Sequence, residues 1–336
     1  MIAVITGGSG FIGQNLVRRL LTEGHEVRCL IRPGGTRVAH DPERFVVRFD
    51  EPLSLLHCPA LDGADVVFHL AGATKAVGPE AFTAANVTPT RNILGAISAR
   101  RLVPRFVFVS SQAAAGPAPS CQRPVDEEDN PRPVEAYGRS KLEAERIVES
   151  FGDRLPTTIV RPCAAFGPRD RDFLTLFRLA MRGVVLYPGT ADHWLSVLHV
   201  DDVIDGLLAA AQSDFSMGRK YFLASPEPVQ WRTIGQHISA AVGKPVRHVD
   251  VYGPIVRTAS VAGELIGRLT RRATIANTSK AALARQPYWV CSAARARAEL
   301  GFQPRRSLPE ALRDTYLWYR QSGWLRGSHR ADGAVA

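Results

Sequence analysis

Ala3-Val-Ile-Thr-Gly-Gly-Ser-Gly-Phe-Ile-Gly13 decides the fold. A run of β-branched and apolar residues is followed at once by Gly7, Gly10 and Gly13 in a G-x-x-G-x-x-G pattern, and then by Leu16, Leu20 and Leu21 at helical spacing. A strand that enters a glycine turn and leaves as a helix presents free amide groups and a partial positive charge to a phosphate. The turn and the first helical residues Gly7, Gly10, Phe11, Ile12 and Gly13 are therefore candidate cofactor residues.

Outward from that turn, short buried-type runs alternate with amphipathic stretches, the rhythm of βαβ units and a parallel sheet. Strands are predicted at 3–6, 27–31, 45–49, 66–70, 106–110 and 158–161, with helices at 13–21, 86–100 and 140–150. A Pro- and acid-rich loop covers 116–135, long enough to be functional or mobile. Beyond Arg161 the rhythm loosens: a helix at 173–181, an extended 194–200, a helix at 202–211, a strand at 220–224 and a helix at 310–319. The expected class is α/β, a doubly wound parallel sheet with a smaller interleaved C-terminal region. A dinucleotide-binding part at 1–163, completed around 195–225, precedes a substrate region at 164–194 and 226–325, and 326–336 reads as a frayed tail.

Composition narrows the class of function. The 336 residues are 45% hydrophobic and 22% charged, which excludes disordered and disulfide-scaffold chains. The charge of +10 favours anionic partners. Arg271-Arg272 and Arg305-Arg306 are only pairs without interleaved aromatics, so nucleic acid is not expected. Five scattered cysteines without a C-x-x-C pair fit a reduced, cytoplasmic protein, and no leader precedes the first strand. The most apolar stretch, 254–269, carries Arg257, Glu264 and Arg268 and reads as a helix and not a membrane span. His69 and His199 lack ligand-spaced partners, so no metal is expected.

Two local patterns point to chemistry. Tyr137-Gly-Arg-Ser-Lys141 places a phenol and an ammonium one helical turn apart, where the cation favours the phenolate and so lowers the Tyr pKa. Ser110 and Ser111 close the preceding strand at the edge where such sheets bind ligands. The strand ending His69-Leu70-Ala71-Gly72 offers small residues to a ribose, and Asn86 opens the next helix as an N-cap or as a site residue. Dinucleotide folds place an acid at the end of the second strand to hold ribose hydroxyls. Here Arg32 stands there, with Arg37 nearby, which favours NADP over NAD unless Arg32 is a solvated surface residue.

Taken together, Thr6–Gly13, His69–Gly72, Asn86–Asn92, Val109–Ser111, Tyr137-x-x-x-Lys141, Arg161-Pro162 through Gly167-Pro168 and His199–Asp202 occur in the order of an extended short-chain dehydrogenase/reductase, which the chain resembles over about residues 1–325. The resemblance implies that Tyr137 is the acid/base, Lys141 its partner and a ribose ligand, and Ser111 the donor to the substrate oxygen. It adds Leu70, Ala71, Gly72, Asn86, Pro162 and an adenine-side Asp50 to the cofactor residues. A dimer through two long helices is a further implication.

Ala164 stands where nucleotide-sugar epimerases of this type carry Asn, and Gln112-Ala113 cannot do dehydratase acid/base work. The remaining pattern resembles the 3β-hydroxysteroid dehydrogenase and dihydroflavonol reductase branch, whose substrates are apolar, often cyclic small molecules. Thr74, Lys75, Ala164, Phe166, Tyr187 and Trp194 are the corresponding substrate candidates, though each aromatic reads equally as core. Three functions follow: an NADP-preferring dehydrogenase or reductase, a 4-epimerase that keeps NAD, and a non-catalytic NADP-binding regulator.

Overall fold

The β-branched runs assemble as the alternation requires. In the computed structural model, which describes residues 1–35, 38–40, 42–251, 253–255, 258, 260, 282 and 285–325, β1 (Ile2–Thr6), β2 (Glu26–Ile31), β3 (Glu43–Val46), β4 (Val66–His69), β5 (Arg105–Val109), β6 (Thr157–Pro162) and β7 (Lys220–Leu223) form one seven-stranded sheet. Its order is β7-β6-β5-β4-β1-β2-β3, and every pairing is parallel. The order reverses beside β1, the point at which doubly wound sheets bind ligands.

Alternate residues of each strand feed opposite faces. Ala3, Ile5, Val107 and Val109 join Leu16 and Leu20 of helix Phe11–Thr22 and Val203 and Leu207 of helix Val200–Gln212. Val4, Phe106 and Phe108 join Ile93 and Ile97 of helix Thr88–Ala99 and Ala144 and Val148 of helix Ala136–Glu149. A third apolar cluster lies off the sheet, where Phe173 and Phe177 of helix Asp172–Met181 meet Ile234 and Ile238 of helix Trp231–Val242 and Leu312 and Tyr319 of helix Leu308–Gln321.

Three local expectations change. The third strand ends at Val46, earlier than predicted, because its partner β2 ends at Ile31 and the last ladder bond runs from Val47 N to the Ile31 carbonyl. The 116–135 loop is anchored. Arg132 N donates to Ala115 O, Val125 exchanges backbone bonds with Val290 and Ser292, and Glu127 accepts from Phe222 N. Asn86 caps nothing: it lies inside a π-turn, Thr83–Val87, that runs directly into helix Thr88–Ala99. Most of the predicted 254–269 helix, the 326–336 tail, Arg37 and Arg271-Arg272 lie outside the described residues.

Candidate active site

At the glycine turn the backbone approaches itself too closely for side chains. Gly7 adopts φ +73°, and a Cβ there would stand 2.7 Å from the Leu70 carbonyl carbon and 2.8 Å from Ala71 N, so the turn lies flush against the end of β4. A Cβ on Gly13 would fall on the Gly7 carbonyl oxygen. Gly10 N donates to that oxygen at 2.9 Å and closes the turn. Gly10 is the helix N-cap, no acid occupies the first turn, and the amides that follow have no partner within the helix. This is a cradle that fits a dinucleotide pyrophosphate.

The end of β4 is locked to the turn by a buried chain of bonds. Ala71 N donates to Thr6 Oγ1 (3.0 Å), which lies 2.7 Å from His69 Nδ1, while His69 Nε2 lies 3.0 Å from Thr90 Oγ1 and Thr90 donates to Asn86 O (2.7 Å). Burial and the Lys141 charge push the His69 pKa down to about 3, so its ring is neutral. The bonds then fix one tautomer, Nε2–H donating to Thr90 and Nδ1 accepting from Thr6. Asn86 is buried and clamps the neighbouring segment: its Oδ1 accepts from Ala73 N (2.7 Å), and its Nδ2 donates to Ala73 O (3.2 Å) and Ser140 Oγ (2.8 Å). It holds the backbone after Gly72 against the helix that carries Tyr137 and Lys141.

That helix begins where it does because Glu135 caps it, accepting from Tyr137 N and Gly138 N at 2.6 Å each. Lys141, one turn on, is almost fully buried. Its Nζ donates to Val109 O (2.8 Å) and lies over the Phe108 ring, 4.8 Å from the centroid. Ser111 caps the short helix Gln112–Ala115 by accepting from Ala113 N, and its hydroxyl acts on the Tyr137 phenol in the direction that lowers its pKa. Ser111, Tyr137, Lys141 and Gly72 thus come together at the C-terminal ends of β4 and β5. A Cβ on Gly72 would stand 3.4 Å from Lys141 Nζ, the kind of close approach a ribose needs.

The electrostatics run against the expectation for the phenol. Burial pushes the Tyr137 pKa up to about 12, with Glu135 adding to the rise and Ser111 opposing it. Burial also pushes Lys141 down to about 8, opposed by Glu145. In both groups desolvation is the largest cause, ahead of the Ser111 hydroxyl on Tyr137 and of Glu145 on Lys141.

Sequence reasoning missed the group beneath the site. Arg161, 1% exposed, grips Glu145 through Nε (2.9 Å to Oε1) and Nη2 (2.6 Å to Oε2), and Ser110 Oγ donates to Glu145 Oε1 at 2.5 Å. The one available signal was spacing, since Glu145 follows Lys141 by four residues on the same helix face. Gln112 is buried beside Ser111, and its carboxamide meets no partner among the described residues.

The outlying candidates divide. Arg32 is exposed immediately after β2, its carbonyl closing a turn with Gly35 N, and it forms no ion pair with a described residue. Asp50 is exposed, and Pro162 is buried at the end of β6. Thr74 is exposed, while Lys75 pairs with Asp172 at 2.7 Å. Ala164 and Trp194 are half-buried. Phe166 and Tyr187, expected at an apolar pocket, are core residues: Phe166 stacks on Phe173, and the Tyr187 hydroxyl is spent on His248 Nδ1 at 2.6 Å.

A parallel sheet with a glycine turn at its switch point and a Ser-Tyr-Lys group at the adjoining strand ends defines a dinucleotide-dependent enzyme of the short-chain oxidoreductase type. Residues 3–224 match the NAD-dependent epimerase/dehydratase family, and the chain belongs to it, as an enzyme of the extended short-chain dehydrogenase/reductase class that uses a nicotinamide dinucleotide. It is 30% identical to a ceramide reductase of Caulobacter vibrioides, over 96% of each chain. It is 29% identical to a 3 beta-hydroxysteroid dehydrogenase/Delta 5-->4-isomerase of Mycobacterium tuberculosis, over 94% of this chain and 90% of that one. The crystal structure of gox2253 superposes with a TM-score of 0.79 at 27% identity, covering 97% of this chain and 99% of that one.

Proposed function

We propose that the protein is an NADP-preferring oxidoreductase that interconverts a secondary alcohol and a ketone on an apolar or cyclic small molecule. The observation that carries this reading is the convergence of Ser111, Tyr137 and Lys141 beside Gly72. The ceramide reductase and hydroxysteroid dehydrogenase relatives support it through the apolar character of the compounds in their names. Half-buried Trp194 and Ala164 are available as an apolar wall, and Ala164 offers a sugar diphosphate no polar group.

When bound, the nicotinamide supplies or accepts the hydride at the carbinol carbon. Ser111 donates a hydrogen bond to the substrate oxygen. Tyr137, kept protonated at neutral pH by its raised pKa, gives its proton to that oxygen as the ketone is reduced, and takes it back in the reverse direction. Lys141 carries the positive charge beneath them. Exposed Arg32 at the end of β2, where an acid would hold NAD, supports NADP.

The test is NADPH oxidation against a panel of apolar cyclic and linear ketones. Tyr137→Phe is expected to lose roughly 10²-fold or more in turnover on any ketone the wild type reduces, while NADPH binding is kept. Unchanged turnover would remove Tyr137 from the chemistry. Tight nucleotide-sugar binding with copurified NAD and no ketone reduction would favour epimerase action instead.

A further inference from the structure

Two segments that the reading above leaves without a task meet beside the phosphate turn. Among the described residues, three that are not glycine adopt a left-handed backbone: His40 (φ 69°), Arg101 (φ 54°) and Arg169 (φ 73°). His40 and Arg169 touch each other, Arg169 Nη2 lying 3.3 Å from His40 Nε2 across 129 residues of sequence. Strained backbone of this kind persists where surrounding contacts enforce it, and it gathers at ligand sites.

The enforcing contacts are visible. Arg169 Nη1 donates to Gln14 Oε1 at 2.6 Å, and Gln14 Nε2 donates to Ser9 O at 2.6 Å, so the guanidinium is tied through one side chain to the phosphate turn. Asn15 Nδ2 donates to Pro168 O (2.9 Å) and fixes the residue before Arg169. The Trp318 ring lies 5.9 Å from the guanidinium.

What Arg169 lacks is an anion. It forms no ion pair with any described carboxylate, and the charge that acts on it comes from Arg18, another cation. Burial and these two arginines hold His40 below its ordinary pKa. A neutral His40 accepts from Arg169 at Nε2, which leaves its Nδ1–H free to donate. The structure thus gathers a half-buried guanidinium that meets no described carboxylate and an imidazole N–H, both on left-handed backbone, while the neighbouring Arg18 is paired with Asp201. Their position identifies the missing group. His40 sits on the loop that leaves β2 at Arg32, the strand end where the adenosine ribose lies in dinucleotide folds, and Ser9 follows Gly8, whose Cβ would stand 3.0 Å from Cys29 Sγ of β2 and 3.6 Å from Val38 Cγ1.

We propose that Arg169 and His40 complete, with Arg32, the receptor for the 2′-phosphate of NADP, so that the segment after Gly167-Pro168 takes part in choosing the cofactor. This deepens the NADP reading and rests on it. The phosphate accepts from the guanidinium and from His40 Nδ1–H and supplies the negative charge that the cluster lacks.

Calorimetric titration with 2′,5′-ADP and with 5′-ADP separates the two claims. The wild type is expected to prefer 2′,5′-ADP, and Arg32→Asp to abolish that preference. Arg169→Gly, which suits a left-handed backbone and so does not endanger the fold, is expected to bind 2′,5′-ADP about tenfold more weakly, with 5′-ADP unchanged within about twofold. Arg169→Lys should restore part of the loss. Equal losses for both ligands, or no loss, would overturn the proposal while leaving the NADP reading to the wild-type preference and to Arg32→Asp. A wild type that does not distinguish the ligands would overturn both.

Discussion

Lys141 shows how far burial can move a group whose type and spacing are plain in the chain. Its ammonium sits almost wholly out of water, with one carbonyl and one aromatic face for company, and its pKa falls from 10.5 to about 8. Because the folded value lies below the unfolded one, the folded state binds this proton more weakly. The charge therefore costs stability at neutral pH, and the cost fades as pH rises from about 8 to 10.5. In denaturant titrations the wild type should gain on Lys141→Met across that window by up to about 3 kcal/mol, at about 1.4 kcal/mol per pKa unit. A difference constant with pH would contradict the assignment. The same desolvation raises Tyr137, so the spacing of phenol and ammonium does not by itself set the direction. His69 is the parallel case of a residue that looks chemical in sequence and is structural in the fold, both ring nitrogens being engaged by threonines.

At the scale of elements, helix Ala136–Glu149 is held to the sheet by one buried ion pair. Glu145 and Arg161 are 0% and 1% exposed, and Ser110 adds a third bond to the same carboxylate. The pair joins the helix bearing Tyr137 and Lys141 to β6, and through Ser110 to the strand end bearing Ser111. Breaking it leaves an uncompensated buried charge. Glu145→Gln is expected to cost about 3–5 kcal/mol, whereas the double replacement Glu145→Leu with Arg161→Met should recover most of that. Equilibrium unfolding of the three variants checks this, and a double replacement as damaging as the single one would show that packing and not charge is at stake. Asn86 does comparable work from the other side, which is why a residue whose position suggested a cap lies inside the helix with its amide turned to Ala73 and Ser140.

Across the whole molecule, residues 166–172 are where the two ends of the chain's logic meet. Pro168 is held by Asn15, Arg169 reaches Gln14, the Asp170 carbonyl accepts from the Tyr319 hydroxyl at 2.7 Å, and Asp172 pairs with Lys75 from the segment after β4. The last contact spans the space between the Gly72 side of the site and helix Asp172–Met181. Both partners are solvent-accessible, so Lys75→Ala should change stability by less than about 1 kcal/mol. If the contact preorganises the substrate cleft, KM rises several-fold with kcat nearly unchanged, and an unaltered KM would remove the pair from substrate binding.

Of the +10 charge, Lys141 is buried against Val109 O and the Phe108 ring, and Lys141, Arg32 and Arg169 have proposed tasks. Among the described residues no helix is long and apolar enough to cross a membrane. The chain by itself determined the parallel sheet, the phosphate turn and the Tyr137–Lys141 spacing, because each is a local pattern of residue type and period. Only the tertiary structure decided that Glu145 pairs with Arg161, that Phe166 and Tyr187 are core, that Arg169 meets His40, and which way the Tyr137 and Lys141 pKa values move. Those outcomes depend on desolvation and on partners distant in sequence, and neither is carried by any local run of residues.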